Sequence, residues 1–399
     1  MALASATSFA MPIQAADSLP SKSEEGTLLK IPKDIPAPVD GRYLLKGSSI
    51  TNPGEDVTLT LDPELQEDLS NYVRNNGNHI AALVVAEVST GNILAFVQGQ
   101  APKSWGSDVH SALHTSFPAA SLFKITSTVA SLETLDKNSK RATGLRGGCG
   151  KVHPQGIWLK DQAPSRNFRM SLKRAFALSC NGYYAQLGIK ELGLGPIIHY
   201  ADKLGWKRKI PSDFEVPISP MQSPLPTSSS VATIGKFAAG FGLVGMSAVH
   251  SAWQMLAIAN DGNPIPIRIT KDQKPFMPPW APLFSIETAE ELRSVMRPTT
   301  LNGTATYAFR KRRYRRYKHL VGGKTGTLTG KAPKGLTTWF SGMMPIEKPE
   351  IVVAAVAVVG NRWIVKGPHI AAEAFRSWDR LKKKREKIAK QKYLKSKKG

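Results

Sequence analysis

Ser121 and Lys124 stand three residues apart at the head of an apolar run, in the stretch Ser121-Leu122-Phe123-Lys124. A hydroxyl is a poor nucleophile at neutral pH until a base takes its proton, and a lysine at i+3 on one helical face brings an amine within reach. Alone the pattern is weak, as the near-copy Ser171-Leu172-Lys173-Arg174 shows. Two later signatures raise it. Ser179-Cys180-Asn181 puts a hydroxyl and an amide in a break between two helical patterns. Val321-Gly322-Gly323-Lys324-Thr325-Gly326-Thr327 carries a lysine and two hydroxyls on a strand-like segment rich in glycine. In this order the three describe a serine acyl-transfer site.

Each residue type has a task in such chemistry. Ser121 would sit in the first turn of a helix predicted over 122–135, near backbone N–H groups and the positive end of the helix dipole, which favour a developing oxyanion. Lys124 must shed its charge to act as a base, and burial beside another cation such as Lys324 promotes that. Ser179 can shuttle a proton. Asn181 offers an acceptor to Lys124 and a donor to a substrate carbonyl. Ser and Asn are also ordinary helix caps, so this second segment by itself equally admits a structural reading. A glycine-rich strand packs poorly, and close approach of a ligand backbone gives it a reason to exist. A peptide laid antiparallel along it could have its terminal carboxylate gripped by Lys324, Thr325 and Thr327. A nucleotide P-loop is excluded, because its opening glycine would fall at Lys318 and the segment runs into Thr327-Leu328-Thr329 rather than a helix. His110 and His114 have helical ligand spacing but lack the glutamate of a metalloprotease motif, so no metal and no other cofactor is expected.

The chain that must position these groups has 399 residues, of which 41% are hydrophobic and 8% aromatic, a globular composition. Its longest apolar run, 351–359, is too short to cross a bilayer and suits a buried strand. Residues 1–16 read as the remnant of a secretory signal lacking its basic region, and the proline-punctuated stretch 17–55 as an extended linker. Asp62-Pro63 followed by Leu65, Leu69 and Val73 predicts a capped amphipathic helix, and 81–87 with 93–98 a hairpin. Helical patterns follow at 122–135, 172–179, 183–192 and 248–260, then strands at 320–329, 337–344 and 351–359. A closing helix carries Ile370, Ala374, Phe375, Trp378 and Leu381 on one face. Strands at both chain ends imply one antiparallel sheet with helices packed on it.

The net charge of +24 is concentrated in two clusters, 310–318 and 380–398. Nucleic acid, anionic lipid heads and acidic wall polymers are all physically eligible partners, against the simpler reading of a solvated helix end. Of the two cysteines, Cys149 and Cys180, buried free thiols are the favoured reading over a bridge.

The ordered set Ser121-Leu122-Phe123-Lys124, Ser179-Cys180-Asn181 and Lys324-Thr325-Gly326-Thr327 resembles the transpeptidase domain of penicillin-binding proteins. Also similar to that family are Leu61-Asp62-Pro63-Glu64-Leu65-Gln66, Thr90-Gly91-Asn92-Ile93-Leu94-Ala95, Ala238-Ala239-Gly240-Phe241-Gly242, Ile258-Ala259-Asn260-Asp261-Gly262 and Trp339-Phe340-Ser341-Gly342. The likeness spans residues 56–378, leaving 379–399 as a basic tail. It implies an α+β fold of β-lactamase/transpeptidase type: an antiparallel five-stranded sheet flanked by helices, with a mostly helical subdomain. It further implies that Ser121 attacks the carbonyl of a D-Ala-D-Ala stem peptide, with Lys124, Ser179, Asn181 and Lys324 as catalytic partners and Thr325, Gly326 and Thr327 holding the substrate. Backbone N–H groups of Ser121 and Thr327 would form the oxyanion hole. The implied partners are peptidoglycan stem peptides, β-lactams as inhibitors and, through the basic clusters, an anionic wall polymer or membrane surface. Nucleic acid is not expected, and the implied setting is the cell envelope after export. Three features depart from the family: no glycosyltransferase region precedes the domain, Ala119-Ala120 replaces the Pro-Gly often found before the nucleophile, and 310–318 is unusually basic. A β-lactamase is disfavoured because no Glu-x-x-Leu-Asn segment lies between the second and third motifs. A D,D-carboxypeptidase and a polyanion-binding protein with a vestigial site remain the competing readings.

Overall fold

The computed structural model describes residues 28–76, 80–99, 110–135, 145–146, 169–224, 230–331, 333–359 and 365–397. The leader read at 1–16 and Cys149 lie outside them. Two short ribbons, β1 (Leu44–Leu45) with β2 (Val57–Thr58) and β5 (Leu145–Arg146) with β6 (Arg169–Met170), stand apart from the main sheet. The main sheet contains β3 (Ile80–Glu87), β4 (Ile93–Gln98), β7 (Gly322–Lys331), β8 (Lys334–Met344) and β9 (Ile351–Val359). Its order is β4-β3-β9-β8-β7 and every neighbouring pair is antiparallel, so β7 is an edge.

Side-chain alternation divides this sheet between two cores. Ala82, Val84 and Ala86 of β3 with Val352, Ala354 and Val356 of β9 enter one core; Ala81, Leu83, Val85, Val353, Ala355 and Ala357 enter the other. Both faces of the central strands are covered, which is why 351–359 reads as continuous rather than alternating apolar sequence. On the second face lie α1 (Pro63–Asn75) and α11 (Gly367–Ser396). Asp62 accepts from the Leu65 N–H at 3.2 Å and starts α1, with Pro63 at its first position. The first face meets a helical layer of α2 (Lys124–Thr134), α3 (Leu172–Ala177), α4 (Asn181–Gln186), α5 (Leu194–Lys203), α6 (Val231–Ala238), α7 (Ala248–Ala259) and α8 (Ile286–Met296). Short α9 (Pro298–Leu301) and α10 (Thr306–Phe309) lead back toward β7. Every residue of α7 is buried, so it is the central helix beneath the sheet. Among the described residues no helix is long and apolar enough to cross a membrane.

Five expectations need correction. The described part of the supposed linker is packed: Leu29, Ile31, Tyr43 and Leu45 are buried, and the Glu215 N–H donates to the Leu29 carbonyl at 2.8 Å. Scattered apolar anchors between prolines give no periodic signal, yet they dock on a body already formed by the rest of the chain. Helix 183–192 instead begins at Asn181 and widens into a π-helical turn over Leu187–Leu192. Cys180 is disulfide-bonded, overturning the free-thiol reading; cysteine count carries no information on distance or direction. The basic run 310–318 is partly structural, since Tyr314 and Tyr317 are buried, Tyr314 donates to Glu373 at 2.7 Å and Arg316 pairs with Asp379. The closing helix also runs further than its apolar face: Arg380 pairs with Asp68, Lys384 with Glu64 at 3.0 Å and Arg385 with Asp62, mooring it to α1.

Candidate active site

The three signatures converge at the seam between the helical layer and the free edge of β7. Ser121 lies in a 3-10 turn, Ala120–Phe123, that feeds directly into α2. The predicted single helix is therefore split, with the alcohol on the tighter turn and Lys124 at the head of the regular one. Trp339 of β8 donates its indole N–H to the Pro118 carbonyl at 2.9 Å, and the Ala119 N–H donates to Val244 O at 2.9 Å, so the segment before Ser121 is tied to both layers. Gly326 of β7 is close enough to this segment that a Cβ there would stand 3.2 Å from the Ala119 carbonyl.

Lys124 is fully buried, with Nζ 2.8 Å from Ser121 Oγ, 2.7 Å from Asn181 Oδ1 and 2.7 Å from the Ala239 carbonyl. A neutral amine has two N–H donors and one lone pair. Asn181 and Ala239 supply the two acceptors, which leaves the lone pair facing the Ser121 hydroxyl. Burial first, and then the nearby Lys324 charge, hold Lys124 well below the ordinary lysine range. The arrangement can thus take a proton from Ser121 as its oxygen attacks.

Ser179 owes its position to a backbone device. The Ser179 N–H donates to Phe176 O at 3.0 Å and the Cys180 N–H to Ala175 O at 2.9 Å, the paired bonds that close a helix through a left-handed residue. Glycine normally fills that place, but Ser179 holds it at φ 56°. The same closure ends α6, where Gly240 at φ 85° donates to Phe237 O and Phe241 to Lys236 O, both at 2.9 Å. One terminus uses the unstrained residue and the other accepts strain to keep a hydroxyl. We therefore expect Ser179→Gly to move two measurements in opposite directions: stability rises by about 0.5–1 kcal/mol from relief of strain, while β-lactam acylation falls by about 10²-fold. A denaturant midpoint and an acylation rate on the same sample check this, and parallel losses would contradict it.

Ser179 Oγ lies 2.8 Å from Lys324 Nζ, which also donates to Thr325 O at 3.0 Å. Burial pushes Lys324 down to about 7. Thr325 and Thr327 alternate to the other side of β7, where Thr325 shares a hydrogen bond with Thr304. Ser121, Ser179, Asn181, Thr325 and Thr327 line one cleft of about 320 Å³, together with Thr304, Tyr307, Thr338, Lys366 and Pro368. The structure therefore gathers every site residue named from sequence, with Lys124 and Lys324 behind the cleft wall and Gly326 beside the Ser121 turn. Sequence reading missed the Ala239 carbonyl, a backbone atom without a side-chain signature, and the cleft positions Thr304, Tyr307 and Lys366. Gly240 was the available clue to the first: a Cβ there would come within 2.2 Å of the Ala120 carbonyl. His110 lies apart from this chemistry. Its ring caps a short turn, stacks on Phe96 with centroids 4.0 Å apart, and is pushed down to about 3 by burial.

A serine beside a buried amine, at the edge of a five-stranded antiparallel sheet, defines a serine acyl-transferase framework. The penicillin binding protein transpeptidase domain matches residues 81–378, and the chain belongs to that family. It is similar to peptidoglycan D,D-transpeptidase PbpA of Mycolicibacterium smegmatis, 24% identical over an alignment 361 residues long, with 80% of this chain and 70% of that one covered. Among solved structures, the D,D-transpeptidase domain of a peptidoglycan glycosyltransferase from Eggerthella lenta superposes with a TM-score of 0.63 at 23% identity, covering 82% of this chain and 83% of that chain. The imipenem acyl-enzyme of penicillin-binding protein A from Mycobacterium tuberculosis gives 0.64 at 19% identity, covering 82% and 81%.

Proposed function

We propose that the protein is a peptidoglycan D,D-transpeptidase of the cell envelope whose catalytic unit spans residues 56–378 and whose nucleophile is Ser121. The observation that carries this reading is the short contact between Ser121 Oγ and a fully buried Lys124 amine whose other two polar contacts are both acceptors. Lys124 takes the Ser121 proton as Oγ adds to the carbonyl of the penultimate D-Ala. The backbone N–H groups of Ser121 and Thr327 receive the oxyanion, Asn181 orients the peptide, and Ser179, linked to Lys324, returns a proton to the departing D-Ala nitrogen. The amide C–N bond breaks, leaving an ester on Ser121 that an amine of a second stem peptide resolves. β-Lactams enter as cyclic mimics and stall at the ester, because no second base is assigned to activate water. Benzylpenicillin followed by intact mass and peptide mapping tests this: one penicilloyl group on Ser121 is expected, and modification elsewhere, or rapid turnover of a chromogenic cephalosporin, contradicts it.

The outer end of α11 supports a second, separate proposal: binding to an anionic lipid surface. Lys387, Lys390, Lys392 and Lys395 are exposed there beside exposed Ile388, Tyr393 and Leu394, a mixture of charge and apolar groups that suits a headgroup layer. Removing residues 387–399 is expected to abolish sedimentation with anionic vesicles at low salt and to leave acylation within about twofold. Undiminished sedimentation would refute it.

A further inference from the structure

Each of the two active-site lysines stands over the face of an aromatic ring. Lys124 Nζ is 5.5 Å from the centre of the Tyr184 ring, and Lys324 Nζ is 5.4 Å from the centre of the Phe176 ring. Phe176 lies three residues before Ser179 and Tyr184 three residues after Asn181. Each side of the Ser179-Cys180-Asn181 segment therefore gives its lysine one polar partner and one ring: Ser179 and Phe176 to Lys324, Asn181 and Tyr184 to Lys124. The Tyr184 ring is held at both ends. Its backbone belongs to α4, and its phenol meets Thr128 Oγ1 of α2 at 2.8 Å, while Thr128 Oγ1 donates to the Lys124 carbonyl at 2.7 Å. The threonine's single proton is committed to that carbonyl, so the tyrosine O–H is the donor to Thr128. Helix α2 thus carries Lys124 and, one turn on, the latch for the ring beside it.

Ser121, Asn181 and the Ala239 carbonyl occupy the hydrogen-bonding directions of Lys124 Nζ. The aromatic face adds an attraction of another kind, which is slight for a neutral amine and favourable for an ammonium within about 6 Å of the ring centre, and which strengthens where water is excluded. Lys124 and Tyr184 are both fully buried. Building on the acyl-transfer reading, we propose that Tyr184 is a positioning residue whose ring face stabilises the ammonium that forms as Lys124 takes the Ser121 proton. The proton passes from Oγ to Nζ while the bond from Oγ to the carbonyl carbon forms, so the attraction grows toward the transition state. The other groups around the amine leave the contribution of the ring separable. Burial holds the Tyr184 and Tyr183 phenols neutral, and Ser121 and Asn181 carry no charge. Among the described residues Lys324 of β7, pushed down to about 7 by burial, is the charged group that acts on Lys124.

Phenylalanine and pentafluorophenylalanine in place of Tyr184 test this, because they share a shape while fluorination reverses the charge of the ring face. The readout is the rate of acylation by benzylpenicillin as a function of pH, and Lys324 is common to every variant. Tyr184→Phe keeps the face and is expected to leave the acidic midpoint within about 0.3 pH units of the unmutated protein. Pentafluorophenylalanine is expected to lower that midpoint by roughly one unit, since an ammonium deprived of a favourable face gives up its proton at lower pH. It should also lower the plateau about threefold, since a weaker base assists less. The two profiles therefore cross, with the fluorinated protein slower on the plateau and faster at the acid end. A packing defect lowers the rate at every pH and gives no crossing. Difluorophenylalanine, a smaller change, is expected to give an intermediate midpoint. Coincident midpoints in the phenylalanine and fluorinated proteins, or a uniform loss across the profile, overturn the proposal while leaving Ser121 as the nucleophile. If the unmutated protein forms no benzylpenicillin adduct on Ser121, both readings fall together.

Discussion

Ser121→Ala is expected to remove covalent β-lactam labelling altogether, with no slow residual phase, while the protein stays folded. The change deletes one oxygen from a partly exposed site, so no cavity opens in the core, and Lys124 retains Asn181 and Ala239 as acceptors. Among the described residues Ser179 is the only other cleft hydroxyl bonded to a lysine, but its partner Lys324 lies behind β7 and its backbone is locked in the left-handed region. It cannot replace Ser121 without unwinding the closure of α3. Fluorescent penicillin on a gel, with circular dichroism as the folding control, decides the matter. Label retained at a level comparable to the unmutated protein would show that the nucleophile has been misassigned.

Lys124→Met should give the next largest effect, a fall in acylation of about 10³-fold with the adduct still on Ser121. Methionine matches the length of the lysine stem but has no lone pair positioned for the proton, so attack must proceed from an unassisted hydroxyl. The pH dependence distinguishes this loss from a packing defect. Burial and the Lys324 charge lower the Lys124 pKa, so acylation should rise with pH as the amine loses its proton. On the alkaline side Lys324 loses its charge as pH passes about 7, and any contribution from that cation declines. A bell-shaped profile is expected, and Lys124→Met should lose its acidic limb. A variant within tenfold of the unmutated rate, or one that keeps the limb, would remove Lys124 from the role of base.

The chemistry was legible because it requires particular side chains at particular spacings. Ser121 with Lys124, Ser179 with Asn181 and Lys324 with Thr325 each come from one short segment, and the order of the segments supplied the rest. The sheet was legible for a related reason: β4 and β9 match their expected spans, since a two-residue period and a run of β-branched residues are local properties. What escaped the reading was nonlocal. The Ala239 carbonyl is identical in sequence terms to any other carbonyl, and Lys366 faces the cleft only because Gly367 packs against the sheet, where a Cβ would come within 2.5 Å of Thr338 O. Leu29 and Ile31 looked like part of a tether because their packing partners are far away in sequence, as in the bridge from Leu29 to Phe214.

The π-helical turn over Leu187–Leu192 and the left-handed Ser179 bracket α4, which carries Asn181 at its first position. A six-residue helix is too short to hold itself together, so its register depends on the irregular joints at either end. The angle at which Asn181 meets Lys124 is thus set by two joints rather than by local helical preference. A substitution that regularised the far joint, many ångströms from any reacting atom, would rotate the amide away from the amine and slow the enzyme without touching its substrate.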